Sequence, residues 1–244
     1  MTRRIPTLAL AVLVPTLGLS TGCFDTFLDS LNERSGVVDV FTTSQSTPDE
    51  AGNMASRNGK QLMFTNNMGW NVFINEGFVT TSAVTLLACD GERFDVDMYW
   101  GALAEDLSTT ADADLAGVGG VQAHSGTYCD MLVEYGPADE SDDPVALGTT
   151  VYLTGSAVKG NQHVDFVWTS DIELDVTVDI SDVEGGEPFS ISREQYVSKK
   201  LTVTKAYNHF FDGVDFNEPI SQADIDDLLT DSLRSFTSAF EGAS

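Results

Sequence analysis

Between Asp171 and Ser181 apolar and polar residues alternate without a break: Ile172, Leu174, Val176, Val178 and Ile180 against Asp171, Glu173, Asp175, Thr177, Asp179 and Ser181. A period of two puts the first set on one face of a pleated strand and the second on the other, so this segment has one face on a core and one in water. Strand-like runs recur on either side of it, at Val37–Thr43, Lys60–Thr65, Trp70–Asn75, Phe78–Ala88, Arg93–Tyr99, Thr127–Tyr135, Thr149–Ala157, His163–Ser170, Phe189–Ser192 and Gln195–Ala206. Gly, Asn and Asp punctuate them at the spacing of a sandwich. The expected fold is mainly β, an antiparallel Greek-key-like β-sandwich forming one domain over residues 37–244.

Between the strands, polar Ser44–Gly59 reads as a long loop, Ala102–Gly120 as a loop or short helix, and Pro137–Pro144 as an acidic loop. Gly117-Val118-Gly119-Gly120 reads as a glycine turn, because a phosphate-binding loop would continue into Lys and Ser or Thr. Arg193, Lys199, Lys200 and Lys205 follow the Gly185-Gly186 turn, and pairing of their strand with the acidic face of Asp171–Ser181 is expected. One helix is predicted, over 221–240. Ser221 and Asp224 form a capping box, Ile220 can staple to Ile225, and Leu228, Leu229, Leu233, Phe236 and Phe240 continue the apolar stripe.

The first residues have a different character. Arg3 and Arg4 precede an apolar run from Ile5 to Leu19 that is interrupted by Pro6 and Pro15, then Ser20-Thr21-Gly22 and Cys23. The run is too short to span a bilayer and has the layout of a secretory signal, residues 1–22. Leu19-Ser20-Thr21-Gly22-Cys23 resembles the bacterial lipobox, which implies cleavage before Cys23 and diacylglycerol on its thiol. Residues 23–36 then read as a lipidated tether, with Phe24, Phe27, Leu28 and Leu31 on one helical face. Phe24 after the cysteine, in place of Asp, implies the outer membrane of a Gram-negative cell, on its periplasmic or surface face.

With Cys23 taken by lipid, Cys89 and Cys129 remain in a compartment where disulfides persist, and a bond between them is expected. The alternative, two thiols on a metal ion, lacks neighbouring ligands in the sequence. The chain carries 38 acidic and 12 basic residues among 244, a net charge of −26. Such a field repels nucleic acid and anionic lipid, so membrane contact is expected through the lipid alone.

No catalytic constellation is legible. No Gly-x-Ser-x-Gly turn is present and no free thiol remains once Cys89 and Cys129 pair, so a non-catalytic chain is expected. Oxygen donors for calcium cluster at Asp139, Glu140, Asp142 and Asp143, and again at Asp212, Asp215, Asn217 and Glu218. The second group begins like an EF-hand but lacks its glycine and its spaced bidentate Glu. A solvated charge run is the competing reading. For a transition metal the candidate ligands are His124, His163 and His209, whose spacing matches no known ligand set.

Gln122-Ala123-His124-Ser125-Gly126-Thr127-Tyr128-Cys129-Asp130-Met131-Leu132-Val133-Glu134-Tyr135-Gly136-Pro137 has a Gly-x-Tyr opening a strand and a Gly closing it. Phe210-Phe211-Asp212-Gly213-Val214-Asp215 precedes the capped helix. In these two segments, about 50 residues, the chain resembles the methanobactin-associated periplasmic copper-binding proteins. The resemblance implies a Greek-key β domain and copper held by histidines and an oxidised tryptophan. No histidine precedes His124, and His163 and Trp168, five apart on one strand, face opposite sides. The functional expectation is a membrane-anchored extracytoplasmic lipoprotein acting as a binding module, with copper as its ligand. The alternative is a structural or adhesive envelope protein whose acidic surface is stabilised by calcium.

Overall fold

In a computed structural model the chain is described over residues 35–49, 51–107, 115–137, 147–192 and 198–242. The expected signal peptide, Cys23, most of the expected tether, Asp139, Glu140, Asp142, Asp143 and Arg193 lie outside the described residues.

The strands are β1 (Ser35–Gln45), β2 (Ser56–Asn58), β3 (Gln61–Thr65), β4 (Asn71–Ala88), β5 (Arg93–Asp95), β6 (Asp97–Met98), β7 (Leu103–Asp106), β8 (Ala116–His124), β9 (Gly126–Tyr135), β10 (Val151–Lys159), β11 (Gln162–Ser170), β12 (Leu174–Asp179), β13 (Phe189–Ile191), β14 (Ser198–Ala206) and β15 (Thr237–Glu241). A 3₁₀ turn, Tyr207–Phe211, and helix α1, Gln222–Phe236, lie between β14 and β15.

The strands form the two sheets of a β-sandwich. One has the order β15-β14-β1-β8-β6, and the other runs β11-β10-β4-β3-β2 with further strands on β4 and β9. Among the described residues, pairing is antiparallel except between β1 and β14, which run parallel. Strand β4 is the spine of the larger sheet: β3, β7 and β5 follow one another along one edge, and β10 and β9 along the other. Register shifts against β9 and β10 mark bulges that let this 18-residue strand bend around the core.

Several sequence expectations change. Trp70–Asn75 and Phe78–Ala88 belong to one strand, because Gly77 continues the ladder instead of turning the chain. A Cβ there would lie 2.8 Å from Leu153 Cδ2, so glycine is what allows β10 to pack at this point. Arg93–Tyr99 divides at buried Val96, with β5 on β4 and β6 on β8, so the chain crosses between sheets. Ala102–Gly120 contains β7 and the start of β8, and the glycine run is strand. A Cβ on Gly119 would meet the Asp97 carbonyl at 2.3 Å, so glycine permits the close approach of β6. The Ser44–Gly59 loop is shortened at both ends, by β1 and by β2.

The alternation of β12 is realised: Leu174, Val176 and Val178 are buried and the residues between them exposed. Its partner, however, is β9 and not the basic strand. Strand β14 is buried continuously from Leu201 to Ala206, which suits an interior place between β1 and β15. Lys199 and Lys205 find carboxylates elsewhere, and Lys200 lies over the Phe41 ring. Lys199 pairs with Glu184 and, at 3.4 Å, with Glu241. Lys205 is buried against Glu105 of β7. Thr42 Oγ1 donates to Glu105 Oε2 at 2.7 Å, Ser44 Oγ donates to Oε1 at 2.6 Å, and Lys205 Nζ donates to Thr42 Oγ1 at 2.7 Å. This polar knot ties β1 and β14 to β7 across the two sheets.

Helix α1 starts on the predicted capping box, and Ile225, Leu229 and Leu233 are buried. It ends at Phe236, short of the expected 240, because Thr237–Glu241 pairs with the free edge of β14. Thr237 Oγ1 donates to the Leu233 carbonyl at 2.6 Å, closing the last turn.

Candidate functional site

Directly after β14 the 3₁₀ turn drives Tyr207, Phe210 and Phe211 into the core, where Phe211 stacks on Trp168 with ring centroids 4.7 Å apart. Burial raises the Tyr207 phenol above its ordinary value. Inward aromatics at these positions leave Asn208 and His209 half-buried at the surface. Asn66, itself buried, donates to the carbonyls of Phe211 and Val214 at 3.0 and 2.9 Å and accepts from Trp70 N at 2.9 Å. Its oxygen also accepts from Met68 N at 3.1 Å, so one side chain both shapes its own turn and holds the 3₁₀ turn against the start of β4.

The loop from Ser46 to Ala55 crosses in front of this turn. Its tip is an Asp49 turn, in which Asp49 Oδ1 accepts from Asn53 N at 2.7 Å and Ala51 N at 2.9 Å. The Asn53 backbone and side-chain bonds hold the Asp49 carboxyl below the usual carboxylate range. Thr47 fastens the loop. Its N–H donates to Asn208 Oδ1 at 2.9 Å, and Asn208 Nδ2 donates to Thr47 Oγ1 at 3.2 Å. Thr47 Oγ1 also lies 2.5 Å from His209 Nε2, and His209 Nδ1 lies 2.6 Å from Asp212 Oδ2. The imidazole is stacked on Phe236 of α1, with centroids 3.6 Å apart and planes within 5°.

Two adjoining cavities flank the loop. One, of about 330 Å³, is lined by Thr47, Asn53, Met54, Met63 and Asn71. The other, of about 450 Å³, is lined by Asn66, Asn67, His209 and Asp212. Asp49, Thr65 and Asn208 border both. The lining mixes amides and the carboxylates of Asp49 and Asp212 with apolar side chains such as Met54, Met63, Phe64 and Val72, which suits a small neutral or cationic ligand.

The other expected site residues are spread over the domain. His124 ends β8 with its ring edge-on to Phe94 at 5.4 Å and borders a cavity of about 370 Å³ with Cys89, Asp90 and Glu92. Tyr128, whose hydroxyl donates to the His124 carbonyl at 2.7 Å, has its phenol pushed up to about 12, first by burial and then by Glu92 and Asp90. His163 is exposed at the start of β11, with Nε2 3.7 Å from Asp165 Oδ1. Trp168 of the same strand is buried. Cys89 and Cys129 form the expected disulfide, joining the end of β4 to β9.

In the expected calcium loop, Asp215 Oδ1 accepts from Asn217 N at 3.0 Å and from Trp70 Nε1 at 3.2 Å, and Asp212 serves His209. The Asn217 backbone bond, ahead of the indole bond, holds the Asp215 carboxyl low. These two carboxylates thus already meet protein donors. Among the described residues no three His, Cys, Asp or Glu side chains are grouped so as to hold a metal ion. Sequence reasoning missed Thr47 and Asn208 altogether, and read Asp212 as a cation ligand when it is the partner of a histidine three residues before it.

No protein-family model and no curated protein sequence matches the chain. A solved structure, MbnP from Methylosinus trichosporium, is similar over 86% of this chain and 99% of its own, with a TM-score of 0.44 and 8% identity.

Proposed function

We propose that this chain is an extracytoplasmic binding module held to a membrane by lipid on Cys23, with the cleft at the Ser46–Ala55 loop as its ligand site. The observation that carries the reading is the construction of that cleft. Asn208, His209 and Asp212, set on or beside a turn whose aromatics are locked in the core, hold Thr47 between two cavities. Polar side chains fixed in advance around open volume are what a small polar ligand requires. The basic head, short apolar run and small residues before Cys23 support the anchor.

Copper is the finer form of this reading. Its support is chemical: the imidazoles of His124 and His163 stand at the surface, where a metal ion can reach them. The test is metal analysis by mass spectrometry on the chain extracted in detergent and dialysed against copper, with thermal unfolding in the presence and absence of a chelator. Stoichiometric copper, reduced in His163→Gln or His124→Gln, supports copper binding. A metal-free protein whose melting temperature ignores both copper and chelator excludes it and leaves the cleft as a site for organic ligands.

A further inference from the structure

We propose that the cleft performs acyl transfer, with Thr47 as nucleophile, His209 as general base and Asp212 as the positioning carboxylate. The proposal rests on the cleft being the ligand site but on neither the lipid nor copper. It revises the expectation of a chain without catalytic groups.

The geometry is a continuous chain of hydrogen bonds. Asp212 Oδ2 lies 2.6 Å from Nδ1 and Thr47 Oγ1 lies 2.5 Å from Nε2 of the same imidazole. A carboxylate can only accept, so Nδ1 carries the proton and Nε2 turns its lone pair to the Thr47 hydroxyl, which donates to it. This is the arrangement that activates a hydroxyl in nucleophilic catalysis, a base on the nucleophile and a third group orienting the base. The Phe236 ring, stacked at 3.6 Å, fixes the plane of the imidazole. The branched Thr47 side chain has few rotamers, and its backbone N–H is held by Asn208.

Room and charge define the substrate. Thr47 borders the 330 Å³ cavity, which admits an acyl group of a few carbons. Asp49 borders both cavities, so an anionic substrate is repelled and a neutral or cationic ester is favoured. Asn208 Nδ2, 3.2 Å from Oγ1, is the donor placed to follow the negative charge from the attacking oxygen to the carbonyl oxygen.

In the reaction, Oγ1 bonds to the ester carbonyl carbon as its proton passes to Nε2. Collapse of the tetrahedral adduct breaks the bond to the alkoxy oxygen, which leaves as an alcohol with the proton from Nε2. Water then attacks the threonyl ester, gives a proton to Nε2 and releases the carboxylic acid, and the proton returns to Oγ1. Nothing is oxidised or reduced.

A latch that only fastened the loop would show the same hydrogen bonds and no reactivity, so reactivity is the test. The full chain in detergent is treated with an uncharged fluorophosphonate and, separately, with p-nitrophenyl acetate, and adducts are mapped by peptide mass spectrometry. The proposal predicts one adduct, on Thr47, and ester turnover that falls at least about 100-fold in Thr47→Val and His209→Gln. Thr47→Ser retains labelling, and Asp212→Asn lowers kcat while KM stays within about twofold. Melting curves confirm that each variant is folded. A folded wild-type chain unlabelled at Thr47, or equal labelling in folded His209→Gln, overturns the proposal. Protection of the Ser46–Ala55 loop from hydrogen exchange by N-methylacetamide, a neutral unreactive amide, in that same unreactive chain would leave the binding reading standing, so the two failures are distinguishable.

Discussion

Lys205 and Glu105 are both almost wholly buried and paired with each other; Glu105 also accepts from Thr42 and Ser44, and Lys205 also donates to Thr42. Removing one partner strands the other's charge in the core, which costs far more than removing both. Lys205→Met alone is predicted to destabilise the domain by about 3 to 5 kcal/mol in urea unfolding, and Lys205→Met with Glu105→Leu by much less. A second residue-scale prediction concerns acid. The Asp215 carboxyl is held below its ordinary value in the folded chain, by Asn217 first and Trp70 next. The folded state therefore binds fewer protons than the unfolded one in this range. The stabilisation is present above about pH 4 and is lost as pH falls through the folded value. Asp215→Asn should flatten the decline of melting temperature between about pH 5 and pH 3, which a scan against pH checks. Little of this was legible beforehand. His209 and Asp212 share a turn at a separation that could have been noticed, but Thr47 stands 162 residues from His209 and only the fold joins them. Glu105 lay in a stretch with no clear period, because four residues of strand are too few to show one.

Among the elements, those long enough to repeat a pattern were readable. Strand β12 alternates in sequence as it does in burial, and α1 begins where its capping box says. Ser221→Ala removes the acceptor for Asp224 N and is expected to cost about 1 kcal/mol, measurable by chemical denaturation. The short strands β2, β5, β6, β7 and β15 were missed or misread because long-range neighbours, not local propensity, make them extended. The end of α1 shows the competition directly. Leu233, Phe236 and Phe240 fit one helical stripe, yet the open edge of β14 offers five residues a ladder, and the chain leaves the helix to take it. Gly119 makes a similar point for β6. Gly119→Val places a side chain against the Asp97 carbonyl and should detach β6, seen as faster hydrogen exchange at Asp97 to Tyr99.

For the described domain, the two sheets share one core, and the disulfide closes a 40-residue loop that includes β6 and β8 of the smaller sheet. Replacing both Cys89 and Cys129 with Ala should lower stability by about 3 to 4 kcal/mol. The same replacement should leave Thr47 and His209 in place, because the disulfide joins β4 to β9 and contributes no side chain to the cleft. With Cys89 bonded to Cys129, the remaining cysteine of the sequence is Cys23, the one proposed to carry lipid. With a net charge of −26 the chain has no electrostatic attraction to an anionic bilayer, so the attachment proposed above rests on acyl chains alone. The central claim is that a ligand-holding β domain works at a membrane to which Cys23 ties it. The most direct measurement is the intact mass of the chain extracted from membranes of a Gram-negative host. The account predicts a protein beginning at Cys23 and carrying thioether-linked diacylglycerol, with Cys23→Ser found in the soluble fraction. An unlipidated wild-type chain, or a Cys23→Ser chain that remains with the membrane, would contradict it.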